Sequence, residues 1–181
     1  MDLRINVFEG VYPPSEDSFL LERHMGKRKG PFLEIGTGTG FVALSNAILN
    51  RGSRIMGVDI SGRAVENARY NARLNGISNA EFFVSDVFSG VEGKFDTVCF
   101  NPPYLGRDGS STGQDSNLID MGQIDIFLSD FRDFLSERGN AYLILSSNNG
   151  RLGHYLGKIG EYDILERERY FFEELMLVGF R

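Results

Sequence analysis

Glycine occupies every second position of Gly36-Thr37-Gly38-Thr39-Gly40, directly after the apolar run Pro31–Ile35 and directly before a helix-periodic stretch from about Phe41 to Asn50. Glycines after a first strand permit a tight turn and bring a ligand close to a helix amino terminus. A strand-turn-helix unit of this kind commits the chain to a crossover, and so to parallel neighbours in a sheet. The rest of the chain repeats the alternation. Arg54 to Val58 reads as a second strand ending in Asp59, and Ser61 is a good N-cap for a helix carrying Ala64, Val65, Ala68 and Leu74, closed by Asn75-Gly76. Ala80 to Val84, Phe95 to Phe100 and Ala141 to Ser146 are further strands, with helices from about Ile124 to Leu135 and Gly150 to Ile159. The tail holds two more strands, about Tyr162–Arg167 and Glu174–Phe180. The expected fold class is α/β, a doubly wound sheet with right-handed crossovers.

A chain of 181 residues suits one domain with a proper core, with residues 1–14 as an irregular arm ending at Val11-Tyr12-Pro13-Pro14. Ser15 can cap a helix whose first turn holds Glu16 and Asp17 and which continues through Phe19, Leu20 and His24. Gly26-Lys27-Arg28-Lys29-Gly30 ends it as a solvated basic turn, and Gly106 to Asn117 reads as a surface loop. Cys99 and Met56 are core residues. A net charge of -6 argues against a broad phosphate-binding surface. One cysteine excludes an internal disulfide, and two distant histidines give no metal-ligand spacing. The amino terminus lacks a signal-peptide core and no apolar run approaches a membrane span of roughly 20 residues, so a cytoplasmic protein is expected.

The glycine spacing departs from the dinucleotide fingerprint. There, Gly36 and Gly38 would be followed by glycine at position 41, whereas Phe41 stands there and the third glycine comes one residue early. Glu34, two residues before the first glycine, is also unusual where a pyrophosphate must bind. An uncharged or zwitterionic ligand fits better. Asp59 can accept hydrogen bonds from ribose hydroxyls, and Asp86, ending the third strand, could accept from an adenine amino group.

The fourth strand ends in Asn101-Pro102-Pro103-Tyr104. Neither proline donates a backbone hydrogen bond, and each biases the preceding residue away from helix. The carbonyls of Asn101 and Pro102 are therefore expected to serve as acceptors beside an amide side chain and a flat ring. Four consecutive strand ends thus carry Glu34 with the glycines, Asp59, Asp86 and Asn101, and such ends border one crevice in an open α/β sheet.

This constellation resembles the class I S-adenosylmethionine-dependent methyltransferases, through Glu34-x-Gly36-x-Gly38-x-Gly40, Asp59, Asp86 and the Asn-Pro-Pro-Tyr motif. The resemblance implies a seven-stranded, mostly parallel sheet with one antiparallel strand. It also implies methylation of a nitrogen on a planar group, either a nucleobase amine or a glutamine amide. Val11-Tyr12-Pro13-Pro14-Ser15-Glu16-Asp17-Ser18-Phe19-Leu20-Leu21 is similar to the opening of the short archaeal and eukaryotic HemK-like methyltransferases, which modify the Gly-Gly-Gln glutamine of class 1 translation release factors. In that family the segment closes over the cofactor, so residues 1–25 are expected to cover it. Bacterial members carry an extra helical domain not seen in this sequence, and short members work with a small zinc-binding activator protein.

By that resemblance the S-adenosylmethionine contacts are Tyr12, Glu16, Asp17, Ser18, Glu34, Gly36, Thr37, Gly38, Gly40, Asp59, Ile60, Asp86, Val87 and Asn101. Asn101, Pro102, Pro103 and Tyr104 would bind substrate, with Asn101, Pro102 and Tyr104 acting in catalysis. One departure is that relatives carry a Gly-Gly pair where this chain reads Leu118-Ile119-Asp120-Met121-Gly122-Gln123. The alternatives are a nucleic-acid amino methyltransferase, which shares the catalytic residues, and an inactive adaptor with the same fold. A lysine target is conceivable as a side activity. Phe82 and Phe83 point to opposite faces of a strand expected at the sheet edge. There they either invite pairing by another chain or pack under the flanking helices.

Overall fold

The structure, a computed structural model, describes residues 3–103, 114–148, 150–171 and 173–181, with the side chains of 114–121 excepted. Seven strands form one sheet: β1 (Phe32–Ile35), β2 (Ile55–Asp59), β3 (Ala80–Val84), β4 (Phe95–Phe100), β5 (Leu135–Ser146), β6 (Tyr162–Tyr170) and β7 (Glu173–Phe180). Their order is β3-β2-β1-β4-β5-β7-β6. β1 pairs in parallel with β2 and β4, β2 with β3, and β4 with β5, while β7 runs antiparallel to both β5 and β6. That is the expected mostly parallel sheet with one reversed strand.

The helices are α1 (Glu16–Met25), α2 (Phe41–Leu49), α3 (Gly62–Leu74), α4 (Gln114–Asp130) and α5 (Leu152–Ile159), with a 3-10 turn at Phe131–Phe134. Alternation along the strands divides the core into two layers. Leu33, Ile35, Val98 and Phe100 join Phe127 and Tyr155 beneath α4 and α5. Phe32, Cys99 and Tyr142 turn the other way, to Leu20, Leu44 and Ala68 of α1, α2 and α3. Successive strand residues face opposite sides, so both layers are read from the same strands.

Several boundaries moved. Gln114 to Asn117, expected in the loop, begin α4, so the segment that lacks the Gly-Gly pair is helical rather than a connection. The remainder of the expected loop, 106–113, lies outside the described residues. β5 starts at Leu135 rather than Ala141, and a register shift between Phe95 and Thr97 absorbs the extra length. Ser15 precedes α1, but its hydroxyl makes no cap to the helix backbone and instead bonds Glu16. Both phenylalanines of β3 turn inward. Phe82 is buried in one layer and Phe83 is half-buried against the other, so neither is offered at the edge.

Gly57, in the middle of β2, shows how closely the glycine loop is fitted to the sheet. A Cβ there would lie 2.6 Å from Thr37 Oγ1 and 2.7 Å from the Phe82 ring. Nothing in the strand pattern marks this position, because the crowding comes from elements on either side of it. Gly57→Ala is expected to lose about 1–3 kcal/mol, the usual cost of overpacking. Urea unfolding would show it as a lowered midpoint without a change in slope.

Candidate active site

The cavity that matters opens at the carboxyl ends of β1, β2 and β4, where an open parallel sheet receives ligands. Its volume is about 470 Å³, and its walls come from the arm, the glycine loop, Asp59 to Ser61, and the ends of β3 and β4. Phe41, Val42 and Ile60 supply apolar wall.

Glu34 organises the floor. It is the third residue of β1, points into the layer under α2, and is 4% exposed. Its Oε2 accepts the Thr37 hydroxyl at 2.8 Å and the Ala43 backbone N–H at 3.0 Å. The residue before α2 is Gly40, with φ of +80° and no side chain to cap the helix. Glu34 therefore does that work from outside the helix, satisfying one of the orphan amides of the first turn. In a dinucleotide site that amino terminus would face a pyrophosphate. Here a protein carboxyl fills the place. Burial pushes the Glu34 carboxyl up to about 8, against the pull of its two hydrogen bonds, with Asp59 adding to the rise.

Asp59 closes β2 and ties two loops together: Oδ2 accepts Gly38 N–H at 2.9 Å and Oδ1 accepts Ser61 N–H at 2.9 Å. Ser61 in turn caps α3 by accepting the Ala64 N–H, as its sequence context suggests. Gly36 holds a φ of +66°, and a Cβ there would stand 3.2 Å from the Phe100 ring and 3.7 Å from the Asn101 carbonyl. The bare glycine backbone thus lies against the start of the Asn-Pro-Pro motif. Pro102 is buried, Asn101 half-buried and Pro103 exposed, and all three border the cavity.

The arm and α1 supply the opposite wall through Tyr12, Pro14, Asp17 and Ser18. Asp17 is 2% exposed; its Oδ1 accepts from the Ser18 N–H at 2.7 Å and its Oδ2 from the Tyr12 hydroxyl at 3.4 Å. Of the residues singled out in the sequence, Tyr12, Asp17, Ser18, Glu34, Gly36, Thr37, Gly38, Asp59, Ile60, Val87 and Asn101 to Pro103 meet at this cavity. Glu16, Gly40 and Asp86 are not among its walls, although neighbours of each are; Asp86 is exposed. Tyr104 lies outside the described residues. Val11, Ser85 and Gln123 border the cavity without having been foreseen. Val87 carries a φ of +46°, a conformation that a β-branched residue rarely enters, and it does so at the cavity wall.

The charge of the lining is one-sided. Asp17, Glu34 and Asp59 contribute carboxyls, and no Lys, Arg or His appears among the described lining residues. A pyrophosphate would find no cationic side chain among the described lining residues, whereas a ligand carrying amino and sulfonium cations and ribose hydroxyls suits the walls. Fold and site together define a class I methyltransferase that uses S-adenosylmethionine. Solved structures of this architecture include a Pyrococcus furiosus methyltransferase, with a TM-score of 0.72 at 21% identity, covering 98% of this chain and 88% of that one. A Thermus thermophilus 16S rRNA methyltransferase solved with S-adenosylmethionine and guanosine matches with a TM-score of 0.68 at 17% identity, over 97% of this chain and 45% of that one.

The chain belongs to the methyltransferase small domain family, whose model matches residues 10–171. A Methanocaldococcus jannaschii protein named as a candidate protein N5-glutamine methyltransferase is 35% identical, covering 98% of this chain and 94% of its own length. The release factor glutamine methyltransferase of Aliivibrio fischeri is 32% identical over 83% of this chain, which spans 52% of that protein. The ribosomal RNA small subunit methyltransferase C of Aeromonas hydrophila is 32% identical over 57% of this chain and 31% of its own. Among the described residues no helix is long and apolar enough to cross a membrane.

The buried carboxyl yields a prediction with a definite sign. Glu34 binds a proton in the folded, ligand-free protein up to about pH 8, while in the unfolded chain it loses that proton near its ordinary value of 4.5. Between those values the unfolded state binds fewer protons, so stability falls as pH rises, by roughly 1.4 kcal/mol per unit at most from this group. Urea titrations of the ligand-free protein from pH 5 to 8 should show that slope, and Glu34→Gln should flatten it.

Proposed function

We propose that this protein methylates the side-chain amide of a glutamine in a protein substrate, the Gly-Gly-Gln motif of a class 1 translation release factor. The observation that carries the reading is the junction of Gly36 with Asn101-Pro102-Pro103 at one end of an acidic cavity. Support also comes from the arm, Val11 to Leu21, and from the names of the relatives that match most of the chain. The absence of any basic residue from the described lining speaks against a phosphate-bearing substrate entering through it.

In this reading Asp59 would receive the ribose hydroxyls, the glycine loop would hold the methionine moiety, and Asp17, Ser18 and Tyr12 would close the site from the arm side. The bound donor supplies one thing, an electrophilic methyl on a sulfonium. Asn101 Oδ1 and the Pro102 carbonyl accept the two N–H bonds of the substrate amide and fix its nitrogen in line with that methyl. Those acceptors also favour the positive charge that grows on the nitrogen during attack. Orientation of this kind can remove several kcal/mol of barrier, and each aimed dipole is worth roughly 10²–10³ in rate. With the donor bound, attack by the nitrogen would form the N–C bond as the S–C electron pair returned to sulfur, and the nitrogen would release its proton to solvent. Tyr104 is assigned to cover the amide plane.

A small zinc-binding activator would add to the open edge of the sheet at β3. There Val84 and Ile60 are 56% and 54% exposed, beside the cavity wall. Pairing along an unpaired strand edge gives such a partner backbone hydrogen bonds as well as apolar contact.

Mass spectrometry of release factor incubated with this protein and labelled cofactor should locate one methyl on the Gly-Gly-Gln glutamine. Label appearing in ribosomal RNA instead would move the assignment to the nucleobase reading. Asn101→Ala is expected to lose at least a hundredfold in turnover while retaining cofactor affinity by calorimetry. Near-normal transfer by that variant would refute the acceptor role. Asp59→Ala should weaken cofactor binding by about tenfold or more, as expected for a lost charge-assisted hydrogen bond.

A further inference from the structure

The arm before the cavity is held in an unusual way. Residues 3–8 run extended along α3, and their backbone pairs with three asparagine side chains rather than with a strand. Asn75 Oδ1 accepts the Arg4 N–H at 2.9 Å and its Nδ2 donates to the Arg4 carbonyl at 2.7 Å. Asn71 Oδ1 accepts the Asn6 N–H at 2.9 Å and its Nδ2 donates to the Asn6 carbonyl at 3.0 Å. Asn67 Oδ1 accepts the Phe8 N–H at 2.8 Å and its Nδ2 donates to the Asn6 carbonyl at 2.8 Å.

The spacings make this possible. Four residues of helix rise about 6 Å and two residues of extended chain about 6.6 Å, so asparagines at i, i+4 and i+8 meet every second arm residue. An amide side chain carries both a donor and an acceptor, which lets a helix face imitate the edge of a strand.

The seam leads directly into the cavity wall. Val11 N–H bonds back to the Phe8 carbonyl at 3.0 Å across a turn in which Gly10 holds a φ of +79°. Gly10, Val11, Tyr12 and Pro14 then form wall. The Phe8 ring sits between the Arg63 guanidinium, 4.6 Å away, and the Tyr70 ring at 5.4 Å, both on α3. Asn67 and Asn71 are fully buried under the arm. Leu3 and Ile5 pack on the core layer beneath the arm, so lifting it exposes some hydrocarbon, but the amides of the seam regain hydrogen bonds from water. A seam of this kind holds one register, and the amide part of what it loses on opening is replaced by water.

We propose that Asn67, Asn71 and Asn75 are positioning residues that hold residues 3–8 as a detachable strap. Through it they hold the Gly10–Pro14 wall over the bound cofactor, and opening of the seam sets the rate of cofactor exchange. The proposal rests on the assignment of this cavity to S-adenosylmethionine. Asn71 also donates to the Thr39 carbonyl of the glycine loop at 2.9 Å, so it is the wrong residue to test alone. Asn67 and Asn75 touch the arm without touching that loop.

The experiment measures exchange of labelled against unlabelled S-adenosylmethionine in Asn67→Ala, Phe8→Ala, their double variant, and Asn67→Ala/Asn75→Ala. The last should exchange at least tenfold faster with turnover at saturating cofactor little changed, since each lost hydrogen-bonded pair is worth a factor of several, and the urea midpoint falls with the same lost bonds. Asn67→Ala and Phe8→Ala loosen the same strap from opposite sides, so their effects should fall short of additive. Hydrogen exchange at the Arg4, Asn6 and Phe8 amides should rise in parallel. Unchanged cofactor exchange in Asn67→Ala/Asn75→Ala, or fully additive effects of Asn67→Ala and Phe8→Ala, would overturn the strap. Unchanged affinity in Asp59→Ala would instead overturn the cavity assignment, so the two failures are told apart.

Discussion

The contact on which the site depends is the pair of hydrogen bonds received by Glu34 Oε2, one from the Thr37 hydroxyl and one from the Ala43 amide. It joins the end of β1, the middle of the glycine loop and the first turn of α2 in a single buried point. A glycine loop by itself is permissive and has no reason to hold one shape. Tethered at Thr37 and closed on the far side by Asp59, it becomes a fixed floor. The same contact decides what the floor can hold. Because the helix amino terminus is already served by a carboxyl, the anion seat that phosphate-binding loops exploit is internally occupied. One residue thus both shapes the loop and turns it away from dinucleotides.

That choice propagates to the rest of the lining. With the helix end satisfied from within, the cavity has no need of basic residues, and among Lys, Arg, His, Asp and Glu its described walls carry only carboxyls. A cationic donor gains from them in a way that its neutral product does not, since the sulfonium charge disappears on transfer. Burial holds the Glu34 proton up to about pH 8 in the ligand-free protein, so this carboxyl serves the loop as a hydrogen-bonding partner. Loss of the methyl then removes the charge that favoured binding, which suits a site that must release its spent cofactor.

Most of the fold was legible because it rests on period-2 apolar runs and local turn chemistry. β3 and β4 carry the expected limits, and Ser61 caps α3 as its position implies. The boundaries that failed depend on distant partners. β5 begins early because Leu135 finds Phe95 across the sheet, and α4 begins inside a polar stretch that carries no helical apolar stripe. Gly57 could not be read, since its crowding needs Thr37 and Phe82 placed first. In the site, strand-end acids and the Asn-Pro-Pro motif stood out because polar groups at the ends of buried strands are poor core. The asparagines of α3 were present at a regular spacing of four, yet a polar helix stripe ordinarily faces water. What would have revealed them was the alternation of Leu3 and Ile5 with Arg4 and Asn6, a strand pattern in a segment with no strand to join.

The two sides of the cavity are therefore built from different physics. The floor is sheet, with Phe100 and Val58 buried beneath it, little room for a Cβ at Gly36 and none at Gly57. The roof is attached both ways: Leu20, Leu21 and Met25 of α1 are buried in the core, while polar contacts add the asparagine seam on α3 and the bonds of Arg23 and His24 with Glu166 and Glu168 on β6. Hydrocarbon seams resist opening because each exposed methylene costs about 0.8 kcal/mol, whereas amides and ion pairs recover much of their loss from water. A donor pocket needs a floor accurate enough to aim a methyl and a cover that can leave between turnovers. Anchoring α1 by packing while tying residues 3–8 to α3 largely through amides leaves the arm as the part of the cover held by bonds that water can replace.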